Sequence, residues 1–342
     1  MNGPVPGGPS FRDEVSFVQE AEKLGVFAAW TVEGWGADAV TPLAYLAART
    51  ETIRLGTGIM QLSARVPSMI AMTARTLAEL SGNRFLLGLG VSGAQVVEGL
   101  HGVSFAAPLT RLRETVDVLR LSFAGEKIAY HGDRIQLPLP GSRGRSLRLS
   151  GASGQSIPIY LATLGKNSLE YTGAAADGWI GTTFCPEHAE ALLPHIEVGA
   201  RSVGRNLTDL DIGAGAARVE FGAIDELVEQ ERMGRAFTIA AMGSRDENFY
   251  ADSYVRAGWA EEVEQVQTLW HAGHRDKAAQ KVPDAMILQT NLFGDEASVR
   301  QRIRAYIDAG VTTLKVSPAG DTLDARVSTL GRLMDIVRAE NH

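Results

Sequence analysis

"IRLGTGIMQLSARVPSMIAMTARTLAELSGNRFLLGLG", residues 53–90, carries the reading of the whole chain. Two short apolar runs, 53–58 and 85–90, bracket a segment whose apolar residues recur every three or four positions after Pro67. The runs suit buried strands and the spacing between them suits an amphipathic helix. Pro67 fits the first helical position, where its missing N–H costs nothing. Strand, helix and strand in that order make a βαβ unit of a parallel sheet. One detail resists this reading: Gly58 is followed at once by Ile59 and Met60, two bulky apolar residues, where a loop should start.

The same alternation runs along the chain. Strands are expected at 27–32, 53–58, 85–90, 157–162, 178–183, 210–217 and 312–317, with helical spacing between them. Ser10 with Asp13 reads as a capping box before a helix whose inner face holds Val15, Val18, Ala21 and Leu24. Thr41 with Pro42 opens a second helix, and Ser244 with Glu247 reads as another capping box. Gly25 and Gly310 stand where helices stop before strands. Two stretches break the rhythm. Residues 125–156 contain a hairpin-like "YHGDRIQL" and suit a loop insertion, and residues 221–294 read mostly as extra helices before the last strand.

Seven strands with helices between them predict an α/β chain built as one domain, 1–342: a (β/α)8 TIM barrel with insertions and one strand unaccounted for. "MNGPVPGG" is too rich in proline and glycine for a central strand, so the first strand is expected to be missing or truncated. An open sheet is the other arrangement. The Rossmann glycine fingerprint follows none of the strand candidates, and "GLGVSG" at 88–93 matches it only in part.

Composition narrows the function class. With 33 basic and 40 acidic residues the formal charge is -7, which gives no reason to expect nucleic acid or an anionic membrane as partner. A small-molecule substrate is expected. The single cysteine, Cys185, excludes an intrachain disulfide and suits a reducing cytoplasm. No apolar stretch approaches the roughly 18 residues of a membrane helix, and the seven histidines form no metal-ligand cluster.

Residues 55–102, from "LGTGIM" to "VVEGLHG", resemble the luciferase-like TIM-barrel oxidoreductases, in particular the branch that uses the deazaflavin coenzyme F420 and includes the methylenetetrahydromethanopterin reductases. "EKLGVFAAWTVEGWG", "IPIYLATLGKNSLEYTGAAADGWIGTT", "MGSRDENFY" and "YIDAGVTTLKVSPAGD" extend the likeness over nearly the whole chain. The resemblance implies a non-prolyl cis peptide bond between Gly58 and Ile59. It makes Ile59, with Met60, the wall behind the deazaflavin ring. By residue type alone both side chains are core.

The resemblance places the F420 phosphate on the loop Gly165, Lys166, Asn167 and Ser168, with Thr182 and Thr183 nearby. The residues support that independently, because a helix N-terminus favours an anion; a plain helix cap with Lys166 in solvent is the alternative. Glu33, at a strand end, is implied as a cofactor contact and proton donor, against a carboxylate paired to a base. His101, Glu98 and Arg65 could approach the same place or serve only to hold loops. Sugar-phosphate dehydrogenase relatives carry a histidine after that acid and a glutamate after the fourth strand. Gly34 and Gly93 stand here instead, so that reaction is not expected. The implied activity is hydride transfer between the deazaflavin C5 and a small organic substrate. An FMN-dependent two-component monooxygenase and a non-catalytic flavin-binding protein are the alternatives. Relatives of this kind are often homodimers.

Overall fold

A computed structural model describes residues 10–151, 156–243 and 248–340. The expectations placed on "MNGPVPGG" and on Ser244 with Glu247 lie outside the described residues. The described chain forms two compact units, one of residues 10–22, 26–162 and 175–177, the other of 23–25, 163–174 and 178–340.

The first unit begins with α1 (Phe11–Lys23), β1 (Ala28–Thr31), α2 (Val40–Ala47), β2 (Arg54–Thr57), β3 (Met60–Gln61), α3 (Pro67–Leu80) and β4 (Phe85–Gly90). It continues with α4 (Ala94–Val97), α5 (Pro108–Phe123), the strands β5 (Tyr130–His131) and β6 (Gln136–Leu137), and β7 (Ile159–Ala162). Strands β1, β2, β4 and β7 pair in that order, all parallel, and β3 also pairs with β4. The Ser10 hydroxyl accepts the Asp13 amide at 3.2 Å while the Asp13 carboxylate accepts the Ser10 amide at 3.0 Å, closing the capping box. Helix α2 starts at Val40 rather than Thr41. Its cap is Asp38, whose Oδ1 accepts the amides of Val40 (2.8 Å) and Thr41 (2.7 Å).

Ion–dipole contacts stitch the lower edge of this sheet. Glu22 of α1 accepts the amides of Glu51, Thr52 and Ile53 at 2.6 to 2.9 Å, and Arg84 donates to the carbonyls of Thr50 (2.8 Å) and Ser81 (2.7 Å). The expected hairpin is present as antiparallel β5 and β6, and its turn rests on the buried Glu114, which accepts the amides of Asp133, Arg134 and Ile135.

The upper edge is where the ladder slips. β2 sets Gly56 opposite Leu86, an offset of 30, whereas β3 sets Met60 opposite Leu89, an offset of 29. Residues 57–59 therefore face only 87 and 88, a one-residue bulge. The fully buried Thr57 repairs it. Its hydroxyl donates to the Gly88 carbonyl at 2.8 Å and accepts the Gly88 amide at 2.9 Å. On the other side, the Gly58 amide donates to Thr31 O at 2.7 Å and the Glu33 amide to Ile59 O at 3.3 Å. The Gly58–Ile59 peptide bond is cis, as is Leu137–Pro138.

The second unit holds α6 (Lys166–Ala175), β8 (Gly178–Gly181), α7 (Leu193–Ser202), β9 (Asp211–Glu220), α8 (Ile224–Ala241), α9 (Phe249–Arg256) and α10 (Ala260–His271). It ends with α11 (Arg275–Ala279), α12 (Asp284–Leu288), β10 (Leu292–Phe293), α13 (Glu296–Asp308), β11 (Thr313–Pro318) and α14 (Leu323–Glu340). β8, β10 and β11 all pair with β9 in parallel. Helices α8 to α12 bury a core of their own, including Leu227, Ile239, Tyr254, Val266 and Ile287. Helices α6 and α7 touch backbone to backbone: a Cβ on Gly173 would lie 1.9 Å from Ile196 O, and one on Gly199 would lie 1.7 Å from Glu170 O. Only glycine permits that approach, which fixes how closely α6 and α7 pack. All seven expected strands are present, and apart from the β5–β6 hairpin each unit is an α/β arrangement of parallel strands and helices.

Thr57→Val removes both partners of a buried Gly88 peptide and is expected to cost about 2 to 4 kcal/mol, read as a lower urea midpoint. Thr57→Ser keeps the hydroxyl and should lose about 1 kcal/mol. Equal losses in the two variants would contradict the repair.

Candidate active site

Ile59 is half-buried, while Met60 is fully buried. A Cβ on Gly90 would lie 3.0 Å from Ile59 Cδ1 and 3.6 Å from the Ala162 Cβ, so the isoleucine side chain lies across the last residue of β4, beside the end of β7. These are C-terminal ends of parallel strands, the edge at which such sheets bind ligands. Met60 turns the other way, as alternate strand residues do, and is core rather than wall.

Glu33 is held on every side. Its Oε1 accepts from Arg65 (2.8 Å) and from the Ala39 amide (3.2 Å), and its Oε2 accepts from Arg65 (2.7 Å) and from the Gln61 amide (2.8 Å). The pair is little exposed, 9% for the Glu33 side chain and 18% for Arg65. Both oxygens of the carboxylate are engaged, each by the guanidinium and by one backbone amide. Its work is to pin the segment that follows the bulge.

Gln61, missed in the sequence, links this pair to the loop after β4. Its Nε2 donates to Glu33 O (2.8 Å) and Gly34 O (2.9 Å), which fixes the amide orientation and turns Oε1 toward His101 Nε2 at 3.1 Å. That network assigns the proton of neutral His101 to Nε2 and leaves Nδ1 as the acceptor. The Glu98 carboxylate instead takes the Phe105 amide at 2.9 Å.

In the second unit, Gly165 O accepts the amides of Ser168 (3.1 Å) and Leu169 (2.9 Å) and the Ser168 hydroxyl (2.8 Å), which starts α6. Lys166 and Asn167 are exposed in its first turn, where amides have no carbonyl a turn earlier to bond. The loop is anchored from below by Trp179, whose Nε1 donates to Thr163 O at 2.9 Å. Arg256 of α9 donates to Leu164 O at 2.8 Å and adds a second cation there, 92 residues away in sequence and invisible in it. Thr182 is exposed at the end of β8. Thr183 is buried and donates to the Ser253 hydroxyl at 2.7 Å, so it ties β8's end to α9 instead of facing a ligand.

Among the described residues no three His, Cys, Asp or Glu are grouped to hold a metal, and no helix is long and apolar enough to cross a membrane. Cys185 is buried, and its thiol donates to Glu187 Oε2 at 3.1 Å. Burial, reinforced by the neighbouring Glu187, pushes it up to about 12. Only the thiolate attacks disulfides. An aromatic disulfide reagent at pH 8 should therefore find no reactive thiol in the native protein and one per chain in guanidinium; rapid native reaction would contradict the burial.

Known proteins are similar to the chain over most of its length. The luciferase-like monooxygenase family matches residues 2–313. A Mycobacterium tuberculosis protein, provisionally named a coenzyme F420-dependent oxidoreductase, is 35% identical over 314 residues, 90% of each chain. The 5,10-methylenetetrahydromethanopterin reductase of Methanolobus tindarius is 26% identical over 335 residues, 96% of this chain and 97% of that one. The solved coenzyme F420 dependent tetrahydromethanopterin reductase of Methanopyrus kandleri shares the fold at a TM-score of 0.80 and 23% identity, over 99% of this chain and 98% of that one. The chain belongs to the luciferase-like monooxygenase family.

Proposed function

We propose that the protein is an F420-dependent oxidoreductase on a (β/α)8 barrel, acting on a small organic substrate. The observation that carries the reading is the half-buried Ile59 laid across Gly90 at the strand ends, an apolar wall of the kind a flat ring needs. The relatives named for F420 support the choice of ring. The deazaflavin, when bound, supplies the hydride at its C5 carbon.

The chain's own residues do the rest. Ile59 backs the ring, and the bulge closed by Thr57 keeps it in place. The first-turn amides of α6, with Lys166 and Arg256, receive the cofactor phosphate, since unpaired donors, helix dipole and cations all favour an anion. Glu33 serves as a brace. The proton falls to His101: Nδ1 takes one from an alcohol in the oxidising direction and returns it in the reducing direction.

Equilibrium titration with F420, its phosphate-free precursor and FMN tests this. F420 should bind more tightly than FMN. Lys166→Ala and Arg256→Ala should each weaken F420 by about tenfold, the worth of one charge-assisted contact, and leave the phosphate-free precursor unchanged. Preference for FMN, with oxygen consumed on reduction, would replace this function with the monooxygenase one.

A further inference from the structure

The loop between β6 and β7 gathers positive charge that the chain as a whole lacks. Acidic residues outnumber basic ones 40 to 33, yet residues 134–151 hold Arg134, Arg143, Arg145 and Arg148 and no acid. All four arginines are exposed, and among the described residues none of their guanidinium groups has an ion pair or a hydrogen-bond partner. Other surface arginines of this unit are matched: Arg120 pairs with Asp177 at 2.9 Å, and Arg49 donates to the Tyr45 hydroxyl at 2.9 Å.

Apolar side chains stand among the cations. Leu139 and Leu147 are 68% and 73% exposed, the highest values of any large apolar residue described. The backbone is fixed where it presents them. The Ser142 amide donates to Leu139 O at 3.1 Å, and between them Pro140 and Gly141, the latter at φ +69°, have the residue types and sign of a type II turn. The Ser142 hydroxyl accepts the Gly144 amide at 3.2 Å, and Leu147 O accepts the Ile128 amide at 2.8 Å. Both leucines are therefore held in water by a tied loop, which costs free energy that covering them would recover.

Charge and shape name the cover. Four unpaired cations call for an anionic surface. Eleven of the fourteen residues 138–151 are exposed and none lies in a helix or strand, so the loop presents no broad face. A folded partner commonly covers roughly 20 to 30 residues. A lipid headgroup layer needs no such face: it yields around a loop, takes in apolar side chains and attracts arginines by its own charge. The chain-wide charge gives no reason to expect that surface as partner, but the distribution of the charge does.

We propose that this loop docks the protein on an anionic lipid surface, with Leu139 and Leu147 entering the headgroup layer and the four arginines on its phosphates. Two leucines and four charges make a reversible attachment rather than an anchor. The docking requires no bound cofactor and stands apart from the reaction proposed above.

Co-sedimentation of the full chain with vesicles tests it, using phosphatidylcholine alone and an equal mixture with phosphatidylglycerol. The mixed vesicles should bind the protein at least tenfold more tightly than the neutral ones, and high salt should release it. The variants Arg143→Gln/Arg145→Gln/Arg148→Gln and Leu139→Ser/Leu147→Ser should each lose at least fivefold on the mixed vesicles while keeping the parent's melting temperature. If either variant melts early, the single substitutions Arg145→Gln and Leu147→Ser are read in the same way. Equal binding to the two kinds of vesicle, or binding to neither, overturns the proposal. Binding that both variants keep places the contact elsewhere and also overturns it. A loss confined to the arginine variant gives the loop to a soluble polyanion such as an acidic protein, and a loss confined to the leucine variant gives it to an apolar partner; each overturns the lipid docking.

Discussion

One hydroxyl holds the upper edge of the first unit together. Strand pairing allows one residue opposite one, and here three residues, 57–59, stand against two. A backbone cannot close that gap with its own groups, and an unpaired peptide at Gly88 would sit in a dry interior. Thr57 closes it with one side chain that both gives and accepts. Valine has the shape and lacks the atom. Everything downstream of the bulge, including the exit of Ile59 across Gly90 and the return of Met60 to the core, follows from that extra residue being accommodated.

The charged groups around the bulge are spent on architecture. Glu33 and Arg65 satisfy one another and the backbone on both sides of the segment. Gln61 is locked by two carbonyls, which makes it a reference point for His101. A place built this way has an apolar side chain laid across the strand ends and its carboxylate already engaged by neighbouring donors. That economy suits chemistry carried by a bound ring, where the protein orients and the cofactor reacts.

The alternation of strands and helices was legible because it rests on local pattern, as in the apolar runs 53–58 and 85–90 and the helical spacing between them. Helix starts were legible where the cap is adjacent, as with Ser10 and Asp13, and misplaced where a stronger acceptor lay just upstream, as with Asp38 before Thr41. The proposal that Ile59 is a wall came from family likeness, since an apolar residue after a strand says nothing by itself. Met60 and Thr183 show the limit of that likeness: each follows a more exposed residue and turns inward, a choice made by strand alternation and by a serine 70 residues away. The contacts of Thr57 with Gly88, Glu33 with Arg65, and Arg256 with Leu164 span 31, 32 and 92 residues. No local pattern encodes such distances, so they emerge only once the strands are set side by side.

The central claim is that Ile59, and not Met60, meets the deazaflavin ring. Nuclear Overhauser transfer from the ring protons of bound F420 to isotope-labelled isoleucine and methionine methyl groups measures it directly. A cross-peak to the Ile59 δ-methyl and none to the Met60 methyl is the predicted result. Saturating F420 that leaves the Ile59 methyl untouched, or that contacts Met60 instead, would contradict it.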